Sequence, residues 1–181
     1  AVMTHYPSLP IEENGRLNDL MLRENFITRL YAYHNWRKLL AQGVSARDLI
    51  DFHSDHKYLL LAHHPASYAA LGRLLSNLSG PLDDIVKSYE LTFMRALKHI
   101  ATRKKQCNVL QHIHGYFKDK MSSSQRTELL QLIEDYRGGL LPLHAPLTLI
   151  EHYLRENPND YIARQKYLNP HPKELALRYG I

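Results

Sequence analysis

The 181-residue sequence predicts an all-α fold: a single-domain bundle of seven or eight helices behind an extended N-terminal arm. Three observations support this. Apolar residues recur at helical spacing through most of the chain, Gly and Pro fall mainly between those segments, and alternating strand patterns closed by hairpin turns are absent. Hydrophobic residues make up 44% and charged residues 23%, an ordinary globular composition that excludes wholesale disorder, collagen-like repeats and low-complexity function.

Residues 1–20 form the arm or linker, with Pro7, Pro10, Gly15 and the pair Glu12–Glu13, and residues 21–181 form the helical domain. Leu22, Phe26, Leu30, Tyr33 and Leu40 trace the apolar stripe of the first helix, which Gly43 ends. Ser45 caps the second, with Asp48 in the capping-box position, and that helix is expected to run to about His64, where Pro65 disfavours it. A short helix follows from about Ala66 to Ser76, and Ser79-Gly80-Pro81 breaks the chain. Leu82, Ile85, Val86, Tyr89, Phe93, Leu97 and Ile100 then share one face of a strongly amphipathic helix. Val109, Leu110, Ile113, Tyr116 and Phe117 mark the next. Ser122 to Ser124 cap another, which carries Leu129, Leu132, Ile133 and Tyr136 and stops at Gly138-Gly139. Pro146 suits the first turn of a further helix closed by Asn157-Pro158, and a last short one follows Asn169-Pro170.

The formal net charge is +5, and its distribution is uneven. Between Lys98 and Lys120 lie Lys98, Arg103, Lys104, Lys105, Lys118 and Lys120, opposed only by Asp119, so the whole surplus falls in one stretch. Such localisation points to a polyanionic partner; the alternative is a solvated basic face. If a helix begins near Gln106 to Asn108, then Arg103, Lys104 and Lys105 crowd its positive end, where each cation costs roughly 0.3–1 kcal/mol and a bound phosphate would reverse the sign. If the preceding helix instead runs on through Ile100, the three cations sit at mid-helix and bear no such cost. Tyrosine supplies 12 of the 17 aromatic residues, and Tyr116, beside the basic stretch, is a candidate for stacking on an unpaired base. His112 is a candidate for base or sugar contact.

His53, His56 and His63 share one face if the second helix is continuous, which makes them candidates for a metal site and makes His53 an acid–base candidate. Ordinary hydrogen-bonded histidines are the alternative. Cys107 lies beside Lys104 and Lys105, a setting that would favour a thiolate, although a small buried cysteine at the start of a helix is the commoner case. A single cysteine excludes an internal disulfide and a cysteine-ligated cluster held by this chain alone, and suits a reducing cytoplasm. No apolar run approaches the ~20 residues of a membrane span, so no membrane partner is expected. The chain begins at Ala1 rather than Met, which suggests a processed or excised piece of something longer.

One long segment, Asn108-Val-Leu-Gln-His-Ile-His-Gly-Tyr-Phe-Lys118, is distinctive. With Phe52-His53, His56-Lys57, Ala62-His63, Tyr136-Arg137, Pro142-Leu143, Pro146-Leu147-Thr148, His152-Tyr153-Leu154 and Gln165-x-Tyr-Leu-Asn-Pro170, it resembles the YbgA-like domain of unknown function over roughly residues 24 to 178. Residues Glu12 to Asp19 and Leu22 to Phe26 resemble the junction where this domain follows a thiouracil-desulfidase-type domain. The resemblance implies an accessory domain that holds RNA, transfer RNA above all, while a fused or partner desulfidase removes sulfur from thiolated uridine such as 4-thiouridine. The iron–sulfur cluster is then expected only in that partner, and no cofactor or catalytic residue on this chain. The expected RNA contacts are Lys98, Arg103, Lys104, Lys105, His112, Tyr116, Lys118 and Lys120. Two other functions remain open: a small enzyme with a histidine-based metal or acid–base site acting on a nucleotide, and a protein-interaction module.

Overall fold

The computed structural model describes residues 5–175 and 177, and among these nine α-helices and two 3-10 turns occur, with no strand. The all-α expectation holds. In chain order the helices are α1 (Leu20–Ala41), α2 (Ala46–Asp55), α3 (Lys57–His63), α4 (Pro65–Ser76) and α5 (Leu82–Leu97), then α6 (Arg103–His114), α7 (Ser123–Gly138), α8 (His144–Glu156) and α9 (Asp160–Ala163). No described helix is long and apolar enough to cross a membrane.

Local signals set most boundaries. Asp19 caps α1 by accepting from Met21 and Leu22 N–H at 2.8 and 2.9 Å. Ser45 with Asp48, and Ser122 with Gln125, form full capping boxes on α2 and α7. Gly43 and Gly139 end α1 and α7 at φ +79° and +83°, a region that L side chains enter only with strain. Two ends differ from expectation. α5 stops at Leu97, which leaves Ile100 39% exposed and outside the apolar face. The short α9 comes without an apolar stripe: Asn159 caps it by accepting from Ile162 N–H at 3.1 Å.

The helix expected from Ser45 to His64 is two helices, broken at His56. The Phe52 carbonyl accepts from the His56 backbone N–H at 3.1 Å and also lies 2.8 Å from His56 Nδ1, and such side-chain bonding to the i−4 carbonyl bends helices. The opened turn is held from far along the chain. Gln165 Nε2 donates to the Ser54 carbonyl at 2.9 Å, Gln165 Oε1 accepts from Tyr58 N–H at 3.4 Å, and Lys166 N–H donates to the Asp55 carbonyl at 2.9 Å. Beyond the break, α3 is buried on nearly all sides, with Tyr58, Leu59, Leu60, Ala62 and His63 inside, and it packs on α4, α5 and α6. The core extends through an aromatic group in which Trp36 stacks on Tyr89 at 5.3 Å and meets Phe52 edge-on at 5.1 Å.

α1 corrects a second expectation. Its most buried residues are Asn25, Thr28, Arg29, Ala32 and Trp36, whereas Leu22, Phe26, Leu30, Tyr33 and Leu40 are only half-buried. The face turned inward is therefore polar in its first half. Asn25 accounts for part of this by donating to the Leu97 carbonyl at 3.0 Å, where α5 ends.

Candidate nucleic-acid interface

Arg103, Lys104 and Lys105 are the first three residues of α6, capped by Thr102, whose hydroxyl oxygen accepts from Lys105 N–H at 3.4 Å. They thus occupy the positive end of the helix, as the local argument required, although the helix starts earlier than Gln106. Two of them are bonded to main-chain carbonyls of other helices. Arg103 Nη1 donates to the Tyr136 carbonyl at 2.8 Å, and its guanidinium lies 5.1 Å from the centre of the Tyr136 ring. Lys105 Nζ donates to the His63 carbonyl at 2.7 Å. Tyr136 and His63 lie in the last turns of α7 and α3, where unsatisfied carbonyls gather partial negative charge, so cations unfavourable for their own helix become favourable for two others.

Lys104 points elsewhere. Lys104, Asn108, Gln111, His112 and Gly115 are all exposed, and their spacing places them on one outer stripe of α6, while Cys107, Val109, Leu110 and Ile113 fill the inner face. α6 contains no Asp or Glu. The helix runs about 18 Å, the length of twelve helical residues, and the turn that follows it in the chain carries Tyr116, Lys118, Asp119 and Lys120, all exposed. Tyr116 is 41% exposed, with its ring centre 5.6 Å from that of Tyr161. Lys57 Nζ lies 5.2 and 6.0 Å from the centres of Tyr58 and Tyr161. Burial, then the Tyr116 and Tyr68 charges, pushes the Tyr161 hydroxyl up to about 12, so this tyrosine group stays neutral. Lys98 is also exposed, but it lies on the other side of the α5–α6 connection, at the end of α5.

The three candidate metal histidines are not brought together, because the break at His56 rotates them apart. His53 stacks on Tyr68 at 5.0 Å with Nδ1 3.2 Å from the Tyr89 hydroxyl, and burial lowers its pKa to about 4. His56 is 1% exposed and stacks on Phe52 at 4.0 Å; burial lowers its pKa to about 3. His63 turns to the opposite side, with Nδ1 2.6 Å from the His99 carbonyl. Among the described residues no group of three or more His, Cys, Asp or Glu could hold a metal ion. Cys107 is 1% exposed with Sγ 3.9 Å from the Ile133 carbonyl, the setting of a packing residue rather than a reactive thiol. His112 and His114 lie on different faces, the first exposed and the second partly buried.

One feature had no signal in the apolar pattern. A cavity of about 190 Å³ opens where α1, α3, α6 and α7 meet, and Asn25, Thr28, His63, Arg103, Gln106 and Tyr136 are among its walls. Gln106 is 7% exposed and accepts from the Tyr167 hydroxyl at 2.6 Å, so the Gln165-x-Tyr167 segment reaches this cavity as well as the helix break. The polar residues of α1 could have flagged it, since Asn25 and Thr28 are spaced to share a face.

Comparison with known proteins places these motifs in a family. The profile of a protein family of unknown function, DUF1722, matches residues 57–172. The chain is 33% identical over 159 residues to the uncharacterized protein YbgA of Escherichia coli strain K12, a match spanning 87% of this chain and 94% of that one. No solved structure matches.

Proposed function

The chain belongs to the DUF1722 family, and from that premise we propose that it is a cytoplasmic RNA-binding accessory domain, with transfer RNA as its expected ligand. The observation that carries this reading is the exposed outer stripe of α6, which holds Lys104 and His112 with no acidic residue in the helix, followed in the chain by exposed Tyr116, Lys118 and Lys120 with Asp119 between the two lysines. Lysines set along such a stripe suit successive phosphates of one strand, and an exposed ring beside them suits an unpaired base. Lys98 extends the basic surface past the end of α5, and Arg103 adds positive potential at the head of α6 while bonded to Tyr136. Lys105, half-buried on the His63 carbonyl, contributes field more than contact.

The partner in this reading is an N-terminal desulfidase-type domain acting on thiolated uridine. Its support is the resemblance of residues Glu12 to Asp19 to the fusion junction, together with a single, buried cysteine, which leaves the cluster chemistry to the partner. The domain's own task is to hold the RNA, which asks for phosphate contacts and shape recognition rather than a nucleophile.

Titration of tRNA against the purified chain across a salt series tests this. The expected log–log slope is roughly −2 to −4, from about three to five neutralised phosphates. A slope near zero, or no binding at low salt, would overturn the reading. A parallel titration with and without 4-thiouridine tells whether the modified base itself is felt.

A further inference from the structure

The arm is tied to the bundle by a buried cation. Arg29, on the inward face of α1, is 4% exposed, yet its guanidinium is poorly served. Nη1 stands 3.6 Å from Glu12 Oε2, Nη2 donates to the Ile11 carbonyl at a long 3.4 Å, and Nε has no partner. Glu12 is itself shared, because its Oε1 accepts from Arg16 Nη1 at 2.8 Å. Five N–H donors taken out of water normally receive close, bidentate partners. Here a single carboxylate serves two arginines.

The guanidinium borders a cavity of about 210 Å³ that Arg16, Lys98 and Glu12 also line, with Tyr6 and Leu9 on its apolar wall. Lys98 forms no ion pair among the described residues. Three cations from three elements, the 3-10 turn at Asn14–Asn18, α1 and the end of α5, thus meet one acid. An internal clamp on the arm would need only the Glu12–Arg29 contact. It explains neither the converging Lys98 nor the unpartnered Nε of Arg29.

We propose that this cavity is a binding site for a phosphate-class oxyanion, seated between Arg16, Arg29 and Lys98. Arg29 presents a planar fork that matches phosphate geometry, Lys98 and Arg16 close on it from the solvent side, and the wall of Tyr6 and Leu9 takes the less polar carrier of the phosphate. Glu12 sets orientation and competes with the ligand for both arginines. The site lies apart from the α6 stripe but shares Lys98 with the RNA-binding surface proposed above, so it is tested with phosphate alone.

Calorimetric titration of the full chain with inorganic phosphate, against chloride at matched ionic strength, tests it without RNA. One saturable phosphate per chain is expected, weakened about five- to twentyfold in Lys98→Gln and in Arg16→Gln, whose side chains are exposed and whose loss leaves the melting temperature nearly unchanged. Glu12→Gln should tighten binding, an effect a purely structural clamp would not give. Phosphate no better than chloride, or equal affinity in the wild type, Lys98→Gln and Arg16→Gln, would overturn the proposal. Short oligonucleotides with and without a 5′-phosphate identify the source: a phosphate-dependent gain lost in Arg16→Gln assigns the site to a nucleic-acid end, and an absent gain assigns it to a free phosphorylated small molecule.

Discussion

The two ends of α6 carry the same kind of residue to opposite effect. At its start, Arg103 and Lys105 bend away to the Tyr136 and His63 carbonyls and join the bundle's own hydrogen-bonding. Past its end, Lys118 and Lys120 stay exposed beside Tyr116. The difference lies in what surrounds each end. Two neighbouring helices finish against the start of α6 and present carbonyls there, whereas the segment after His114 sends Phe117 and Met121 into the core and leaves its two lysines outside. A basic cluster is thus a binding candidate only after the carbonyls within its reach have been counted.

Replacing the outward set should have the largest effect on binding. The triple variant Lys104→Ala, Lys118→Ala, Lys120→Ala is expected to weaken tRNA binding about 100-fold at low salt and to reduce the salt slope by about two, with little change in melting temperature. If binding survives this variant, the outer stripe of α6 is not the interface.

Acid should act on the interior instead. His56 is held neutral in the folded state, with a pKa of about 3 against 6.5 when unfolded, and His53 is shifted the same way to about 4. A lowered histidine pKa means that the unfolded chain takes up protons first, so stability is full above about pH 6.5 and is lost as pH falls toward those values. His56 alone should cost on the order of 2 kcal/mol by pH 5, and denaturant melts of wild type and His56→Phe across pH 5–7 should show the variant with the shallower slope. Equal slopes would mean that His56 is not buried neutral.

Tyr116→Ala should weaken RNA binding about tenfold, with the salt slope unchanged, because stacking releases no counterions. Smallest of all is Lys105→Met. It removes the bond to the His63 carbonyl and should cost about 1 kcal/mol of stability in a chemical melt, with tRNA affinity within about threefold of wild type. A large loss of affinity without a loss of stability would erase the contrast between the two ends.

Much of the helical framework could be read directly. Asp48 three residues after Ser45, Gln125 three after Ser122, and the glycines at 43 and 139 act through neighbours in the chain, so their effects are visible in the order of residues. The apolar face of α5 was legible for the same reason, up to Leu97. The candidate site was legible in part: Lys104, His112, Tyr116, Lys118 and Lys120 lie at the surface, while Arg103 and Lys105 are bonded to main-chain carbonyls and Cys107 is buried.

The sequence alone settled what local chemistry controls: that the chain is helical, where most helices start and stop, and that its excess charge sits between Lys98 and Lys120. Tertiary structure decided which side of α1 turns inward, that Gln165 holds open a break at His56, and which cations bond to main-chain carbonyls. Those outcomes depend on groups 33 to 111 residues apart, such as Arg103 with Tyr136 and Gln165 with Ser54, and a pattern read over a few turns contains no information about such distant partners.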